Sequence, residues 1–511
     1  MIALLNNKFF VIFLAPFILG VLTIFGFPPY NFTFVNFFTF SILLFFIFLI
    51  KKRTFSTYRK KKSNRYFFYL GISFGFGFFL FGNYWISISL THDENFKKLI
   101  PFALVIIPLF LSIFFGLAIL IVGNFIEKKI YFIFLFSLIF SIFEFLRGNL
   151  LTGFPWNLIS YTWSWSIEFI QILSLIGTYG LSLISITIFC TPFIFFKNLN
   201  NKNNIIFLIF LSFLLIFIYL YGSYKINNTN YTFDKNISVK IISPNFSLQD
   251  YNNNSEIKQL KRLIKISNPQ KNNKTLFIWP EGIFYESYLQ NIDKYKNLFK
   301  ENFSENHLVV FGVNNLYEDN IFNSLVVVNH KLEILSLYNK INLVPFGEFL
   351  PFEDILNNFG FKKITEGHGS FLAGQERKNI LIDNLNILPL ICYEIIFPNL
   401  IKNSNENTNL IVNISEDGWF GQSIGPDQHF AKSIFRAIEN NTFLLRSANR
   451  GVSAIIDNKG KIIKKLNRNE AGNIEFEVPL IKSNKIKNDL IFFILLITYL
   501  LIFLIYKKND G

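Results

Sequence analysis

The chain opens with seven apolar runs, passes through a long stretch in which short apolar and polar runs alternate, and closes on one more apolar run. The long apolar runs are Phe9 to Phe27, Phe34 to Ile50, Tyr66 to Leu90, Leu99 to Ile126, Ile130 to Leu146, Ile170 to Phe196, Ile205 to Tyr221 and Leu490 to Tyr506. Each is near the ~20 residues that a helix needs to cross a bilayer, so the pattern predicts about eight transmembrane helices. The Phe34 run is short, and Pro101 and Pro108 interrupt the Leu99 run. The first run lacks a small-residue cleavage site and further spans follow at once, so it reads as a retained span and not as a removed signal peptide.

The stretch 223–489 has the texture of a layered α/β domain. Strand-like runs are Ile237 to Ile242, Thr275 to Trp279, Leu308 to Val313, Ser324 to Val328, Ile387 to Cys392, Leu410 to Ile414 and Val452 to Ile456. Helix-like runs are Ser255 to Ile266, Asn291 to Glu301 and Phe430 to Glu439. The expected organisation is therefore a transmembrane domain of seven spans (1–222), an α/β domain (223–489), and a last span with a short tail (490–511). The Asn-rich patches at 252–254 and 403–409 read as surface loops.

Charge orients this plan. The densest basic run, Lys51 to Arg65, lies between two apolar runs, and Lys128-Lys129, Lys197 to Lys202 and Lys507-Lys508 fall on the same side by alternation. The positive-inside rule then makes both termini cytoplasmic and puts the α/β domain on the opposite face. The loop from Gly148 to Phe169, on that opposite face, carries Trp156, Trp163 and Trp165, which are expected to form an interfacial belt. The net charge of +15 is read as topology and attraction to anionic headgroups, and not as nucleic-acid binding. Hydrophobic residues at 51%, charged residues at 16% and a mean hydropathy of +0.37 exclude a disordered chain.

With two cysteines in all, Cys190 inside an apolar run and Cys392 at the end of one, no disulfide framework or cysteine metal cluster is expected. Cys392 ends the run Ile387-Leu388-Pro389-Leu390-Ile391 and is followed by Tyr393 and Glu394. A lone thiol at a strand end is a candidate nucleophile, although an isolated cysteine is more often a small buried hydrophobe. Two other polar clusters follow strand-like runs: Trp279-Pro280-Glu281, and Tyr338-Asn339-Lys340 with Val344-Pro345-Phe346-Gly347-Glu348 downstream. A thiol with a pKa near ~8.5 needs a base at neutral pH, which a carboxylate supplies. A lysine ammonium would stabilise the oxyanion of a tetrahedral intermediate. None of His92, His307, His330, His368 and His429 shares a recognisable motif with Cys392 or sits at metal-ligand spacing. Singly, Glu281 reads as a helix-start carboxylate and Lys340 with Glu348 as a surface pair; together, in the order Glu, Lys, Cys, they read as a site.

Trp-Pro-Glu, Tyr-Asn-Lys with Val-Pro-Phe-Gly-Glu, and Cys-Tyr-Glu resemble the nitrilase superfamily, and more narrowly its membrane-embedded apolipoprotein N-acyltransferase branch. The segments Asn413 to Gly421, Ser423 to Pro426 with Gln428-His429, and Arg446 to Val452 are similar to that branch in particular. The resemblance implies an αββα sandwich for the outer, periplasmic domain, with Glu281 as general base, Lys340 as oxyanion stabiliser and Cys392 as nucleophile. It implies Glu348, Glu394 and Tyr393 in supporting positions, and neither a cofactor nor a metal. It further implies a ping-pong transfer at a bacterial inner membrane: the sn-1 acyl chain of a phospholipid passes to Cys392 and then to the α-amino group of a diacylglyceryl-cysteine on an apolipoprotein. Two departures stand out. Ile242-Ser243-Pro244-Asn245 keeps the branch's Asn without the Gln before it, and Tyr251 is the nearest substitute for an expected gate Trp. A membrane-tethered amide hydrolase is the alternative. A transporter is a third reading, and only Glu144 and Arg147, placed as a helix-end pair, speak for it.

Overall fold

The computed structural model describes residues 2–54, 60–92, 94, 96–127, 129, 131–196, 202–228, 233–247, 250, 255–351, 370–398, 408–481 and 488–509. Tyr251, the Asn patch at 252–254 and most of the patch at 403–409 lie outside the described residues. The chain divides into two compact units, Met1–Asn228 with Ile486–Gly511, and Thr229–Lys485.

In the first unit seven helices are long and apolar enough to cross a membrane: Val35–Thr54, Ser63–Asn83, Lys97–Phe125, Tyr131–Asn149, Leu173–Phe195, Asn204–Asn227 and Leu490–Lys508. The eighth expected span is a shorter apolar helix, Phe10–Ile24, whose first turn, Phe10–Leu14, is a π-helix. Its packing explains the shortness of its side chains at one point. A Cβ on Gly20 would lie 2.0 Å from the carbonyl oxygen of Phe74, so only glycine lets these two helices approach so closely. The span expected at Ile170 to Phe196 is present as Leu173–Phe195 and is kinked: Gly177 has φ 67 inside Leu173–Phe189, and a 3₁₀ segment, Thr191–Phe196, follows.

The tryptophan belt is corrected. Trp156 and Trp163 are buried. Trp156 packs on Trp85 at 4.3 Å between ring centroids, and Trp163 stacks on Phe169 at 4.0 Å while donating Nε1–H to Ser185. Only Trp165 of the three is exposed. Glu144 and Arg147 are also more than a helix-end pair. Both are buried and their closest charged atoms are 4.0 Å apart. Glu144 accepts from the Ile159 amide and from Ser182, and Arg147 donates to the carbonyls of Phe154 and Asn157. Together they brace the irregular loop after their helix, supplying partners to backbone that has none of its own.

The second unit is built on two sheets. The first contains β1 (Phe233–Ser243), β2 (Thr275–Ile278), β3 (Phe284–Tyr288), β4 (His307–Tyr317), β5 (Asn320–Val328), β6 (Ile334–Asn339) and β13 (Gly472–Ile481). Its order is β13-β1-β2-β4-β5-β6, with β3 added against β4, and β1, β2 and β4 are parallel. The second contains β7 (Ile380–Ile382), β8 (Leu385–Ile391), β9 (Leu410–Glu416), β10 (Phe443–Asn449), β11 (Ser453–Ile456) and β12 (Ile462–Leu466). Its order is β12-β11-β10-β9-β8-β7, with β8, β9 and β10 parallel.

Alternation along the strands sorts the residues into layers. Leu276, Ile278, Leu325 and Val327 of the first sheet share one core with Ile387, Ile391, Val412, Ile414 and Leu445 of the second. Their neighbours Phe277, Trp279, Val326 and Val328 point the other way, onto Leu260 and Leu263 of the helix Glu256–Ser267 and Phe299 of the helix Lys296–Asn302. The helix Gly425–Asn440 packs on β10 of the second sheet. This is the expected αββα sandwich, and each fully buried aliphatic side chain contributes roughly 1.5–3 kcal/mol to it.

Two local readings change. The helix expected at Asn291 to Glu301 begins as a 3₁₀ segment, Leu289–Tyr295, and only Lys296–Asn302 is α. Ile292 and Tyr295 are both buried there, and 3₁₀ geometry places i and i+3 on one line. The strand β10 was hidden from periodicity because it carries Arg446, Ser447 and Asn449, yet all seven of its residues are buried.

Candidate active site

Three strand ends converge. Glu281 follows β2 by way of Pro280, Lys340 directly follows β6, and Cys392 directly follows β8. β2 and β8 are parallel strands, at whose ends side chains of an α/β sheet are freed to face a ligand, whereas β6 pairs antiparallel with β5. Gly312 allows the approach: a Cβ there would lie 2.8 Å from Cα of Glu281. Cys392 starts a 3₁₀ turn, Cys392–Ile396, and has φ 46, in the left-handed region that a non-glycine residue enters at a cost.

Lys340 is buried, and its ammonium lies 2.9 Å from Oε1 of Glu348 and 3.7 Å from Oε1 of Glu281. The amide of Asn323 donates to both carboxylates, at 2.8 Å to Glu281 and 2.7 Å to Glu348. The remaining oxygen of Glu348 accepts from the Val344 amide, and that of Glu281 from the Glu416 amide at 3.0 Å. The last bond crosses from one sheet to the other and fixes the carboxylate of Glu281 in rotation.

The electrostatics follow. Burial opposes the charge on Lys340, but Glu348 and Glu281 outweigh it and push its pKa up, so it remains an ammonium. Burial raises the pKa of Glu281, with Lys340 opposing and Glu348 adding to the rise. Burial raises the Cys392 thiol too, Glu281 adds to that and Lys340 opposes it. The resting site is therefore a neutral thiol beside a carboxylate with raised basicity and a fixed cation. That arrangement suits proton transfer from sulfur during attack and not a preformed thiolate.

Glu394 and Tyr393, expected beside the thiol, are placed in two different settings. Glu394 is fully buried, and one of its oxygens accepts from Tyr338, from the amides of Ile341 and Asn342, and from Arg377 at 2.6 Å. Its other oxygen accepts from the Ile391 amide at 2.9 Å. Burial works against its charge, but Arg377 and these donors hold its pKa below the usual carboxylate range. Glu394 thus ties the segment after Lys340 to the turn of Cys392. Tyr393 is buried edge-on against Phe397 at 5.2 Å between centroids. Asn245 donates to the carbonyl of Asn469, and so holds the turn that leads from β12 of the second sheet to β13 of the first.

Four residues without an assigned role in the motif reading belong to the site: Asn323, Arg377, Glu416 and His429. Asn323 lies within β5, where nothing in the local pattern marks it. Glu416 closes β9 and accepts from the Gly418 amide and from Asn449. Burial raises its pKa to about 8, against the pull of those two donors, with Glu281 and Asp417 adding to the rise. Between the ordinary carboxylate value and about 8 the native state thus keeps a proton that the unfolded chain has released. Stability is present at low pH and is lost as the pH rises through that window. Glu416→Gln, which copies the protonated shape, is expected to remove at least about half of the fall in melting temperature between pH 6 and pH 9. Thermal unfolding of the full-length protein in detergent checks it, and an unchanged fall would refute it. Among the described residues no three His, Cys, Asp or Glu side chains gather in a way that could hold a metal ion.

Comparison with known proteins agrees with this architecture. Residues 19–191 match the family described as apolipoprotein N-acyltransferase N-terminal domain, and residues 258–487 match carbon-nitrogen hydrolase. A protein of Rickettsia bellii named apolipoprotein N-acyltransferase is 35% identical over 84% of this chain and 88% of its own. Proteins of the same name from Rickettsia typhi and Rhodopseudomonas palustris are 34% identical over 91% of each chain, and 32% identical over 80% of this chain and 79% of theirs. The crystal structure of Nit3 of Saccharomyces cerevisiae, a nitrilase-superfamily member, is similar with a TM-score of 0.35 and 15% identity, over 48% of this chain and 91% of its own. With its apolar helices, its sandwich and relatives matched along most of their length, the chain belongs to the apolipoprotein N-acyltransferase family.

Proposed function

We propose that this acyltransferase carries a fatty acyl group as a thioester on Cys392, from a phospholipid to the α-amino group of a diacylated apolipoprotein. The observation that carries the reading is the buried Lys340 ammonium held between Glu281 and Glu348 beside the turn of Cys392. In the first half-reaction Sγ attacks the ester carbonyl at the sn-1 position while its proton passes to Glu281. The oxyanion forms near Lys340, the C–O bond breaks, and the leaving alkoxide takes the proton from Glu281 to give a lysophospholipid. In the second, the acceptor nitrogen attacks the thioester carbonyl, loses its proton to Glu281, and sulfur leaves and is reprotonated. An amide results and the enzyme is restored.

Helices long and apolar enough to span a bilayer support substrates that are themselves membrane-held. The basic flanks support cytoplasmic termini and a catalytic domain on the periplasmic face of a bacterial inner membrane.

The test is mass spectrometry of the full-length enzyme in phospholipid vesicles. An acyl mass increment on the Cys392 peptide is expected, and added diacylated lipopeptide should discharge it with equal formation of N-acylated product. Release of free fatty acid with no N-acylation, in the presence of acceptor, would replace the transferase with the hydrolase reading.

A further inference from the structure

Behind Cys392, on the second sheet and the helix that covers it, lies a buried polar chain that neither the base nor the oxyanion site uses. His429 stands on the helix Gly425–Asn440 and is fully buried. Its Nε2 is 3.2 Å from the carbonyl oxygen of Cys392, and its Nδ1 is 3.1 Å from Oδ1 of Asp417 and 3.0 Å from a guanidinium nitrogen of Arg446. Asp417 also accepts from Ser415 and, at 2.8 Å, from Arg446. Arg446 donates further to Asn413 and to the carbonyl of Val452, and Asn413 donates to the carbonyl of Leu390. The chain of contacts therefore leaves β8 at Leu390 and returns at Cys392, the residue that follows the strand.

The contact with Cys392 calls for a hydrogen on Nε2. A carbonyl oxygen can only accept, so Nε2 must carry a hydrogen. The neutral tautomer with its proton on Nδ1 would set two lone pairs against each other across 3.2 Å. Nδ1 faces an acceptor, Oδ1 of Asp417 at 3.1 Å, as well as a donor, Arg446 at 3.0 Å, so it is the carbonyl of Cys392, and nothing at Nδ1, that calls for the hydrogen on Nε2. Burial, with Arg446 adding to it and Asp417 opposing, lowers the pKa of His429 to about 4, which agrees with a neutral ring. Nε2 is thus committed to the backbone and is not available to take a proton from sulfur.

We infer that His429 is a positioning residue for the nucleophile: its Nε2–H grips the carbonyl of Cys392 and holds that residue in its left-handed backbone conformation, which sets the direction of Sγ. Cys392 has φ 46, a conformation that persists in a residue with a side chain only where its surroundings impose it. Three groups impose it: Asn413 on the carbonyl of Leu390, Glu394 on the amide of Ile391, and His429 on the carbonyl of Cys392 itself. Of these, only His429 acts beyond the Cα of the nucleophile. This inference rests on the reading of Cys392 as the acyl carrier.

The test uses the full-length enzyme in phospholipid vesicles and a pair of amides. Glutamine places its amide nitrogen where Nε2 lies, and asparagine where Nδ1 lies. His429→Gln is expected to form the acyl-enzyme within about 3-fold of the wild-type rate, whereas His429→Asn and His429→Phe fall by about 10- to 100-fold with KM for phospholipid unchanged. Alkylation of Cys392 by iodoacetamide should slow in the same order, and this readout does not depend on acyl transfer. Equal rates for the Gln, Asn and Phe variants would overturn the inference. Should the Asn and Phe variants not fold, nitrogen NMR of the wild-type protein labelled at histidine decides. Hydrogen on Nε2 of His429 supports the inference, and a neutral ring with hydrogen on Nδ1 overturns it. A wild-type enzyme that transfers acyl groups with no adduct on Cys392, yet keeps the alkylation order, would instead refute the carrier reading alone.

Discussion

Cys392→Ser is expected to leave no acyl adduct and to lower N-acyl transfer by at least about 10⁴-fold, with the melting temperature close to wild type. The fold is spared because serine is nearly isosteric and meets the same left-handed backbone at position 392. The chemistry is not. Even the thiol is held protonated at rest by burial and by Glu281, so attack depends on passing a proton to that carboxylate as the S–C bond forms. A hydroxyl is a far weaker acid than a thiol and a poorer leaving group from the acyl-enzyme. A carboxylate cannot make up that difference in both half-reactions. The same electrostatics predict slow alkylation of the resting enzyme near neutral pH. The measurement is transfer from labelled phospholipid to a diacylated lipopeptide, beside mass spectrometry of the 392 peptide. Transfer within about 10-fold of wild type would remove Cys392 from the mechanism.

Lys340→Met is expected to reduce transfer by more than about 10³-fold and, unlike the serine variant, to lower the melting temperature as well. Loss of one oxyanion donor alone costs about 10²–10³ in rate. Here the lost group is also the cation between Glu281 and Glu348, whose oxygens both lie on the amide of Asn323. Without it, two carboxylates face each other in a buried site. Stranding a buried charge in this way costs about 3–5 kcal/mol. One of the pair then takes up a proton, and where that is Glu281 the base is lost with it. The two effects can be separated. Lys340→Met with Glu348→Gln should recover much of the melting temperature and none of the activity. Lys340→Arg should not rescue, since a planar fork does not fit a site built around a point charge. Recovery of transfer in the double variant would show that Lys340 acts only as a structural counter-ion.

Much of the plan is legible without coordinates, for a physical reason that differs between the two units. A bilayer imposes length and composition on every helix that crosses it, so the apolar runs declare themselves one by one. The first run is the exception. It folds as a shorter helix, Phe10–Ile24, whose π-helical first turn hydropathy does not report. In the sandwich, strands with both faces buried, such as Thr275–Ile278 and Leu410–Glu416, read directly as apolar runs. Strand Phe443–Asn449 does not, since its buried Arg446 and Asn449 are paid for by partners from distant segments.

The candidate site divides in the same way. Glu281, Lys340, Glu348 and Cys392 stand at strand ends or in a loop directly after one, where a polar residue interrupts an apolar run and is conspicuous. Asn323, Glu416 and His429 sit within a strand, at a strand end already crowded with polar residues, and on a helix face. Each acts on a residue 12 or more positions away in the chain, and no local pattern encodes such a pairing. By itself the sequence determined the runs long and apolar enough to span a membrane, the α/β domain and the candidates for base, cation and thiol, because these follow from local hydropathy and from residue type at strand ends. Only the tertiary structure decided which oxygens share Lys340, that Glu394 ties two segments together and does not stand free beside the thiol, and that His429 holds the backbone of Cys392. Those depend on which strands lie side by side, and that is settled by packing the two sheets on one core.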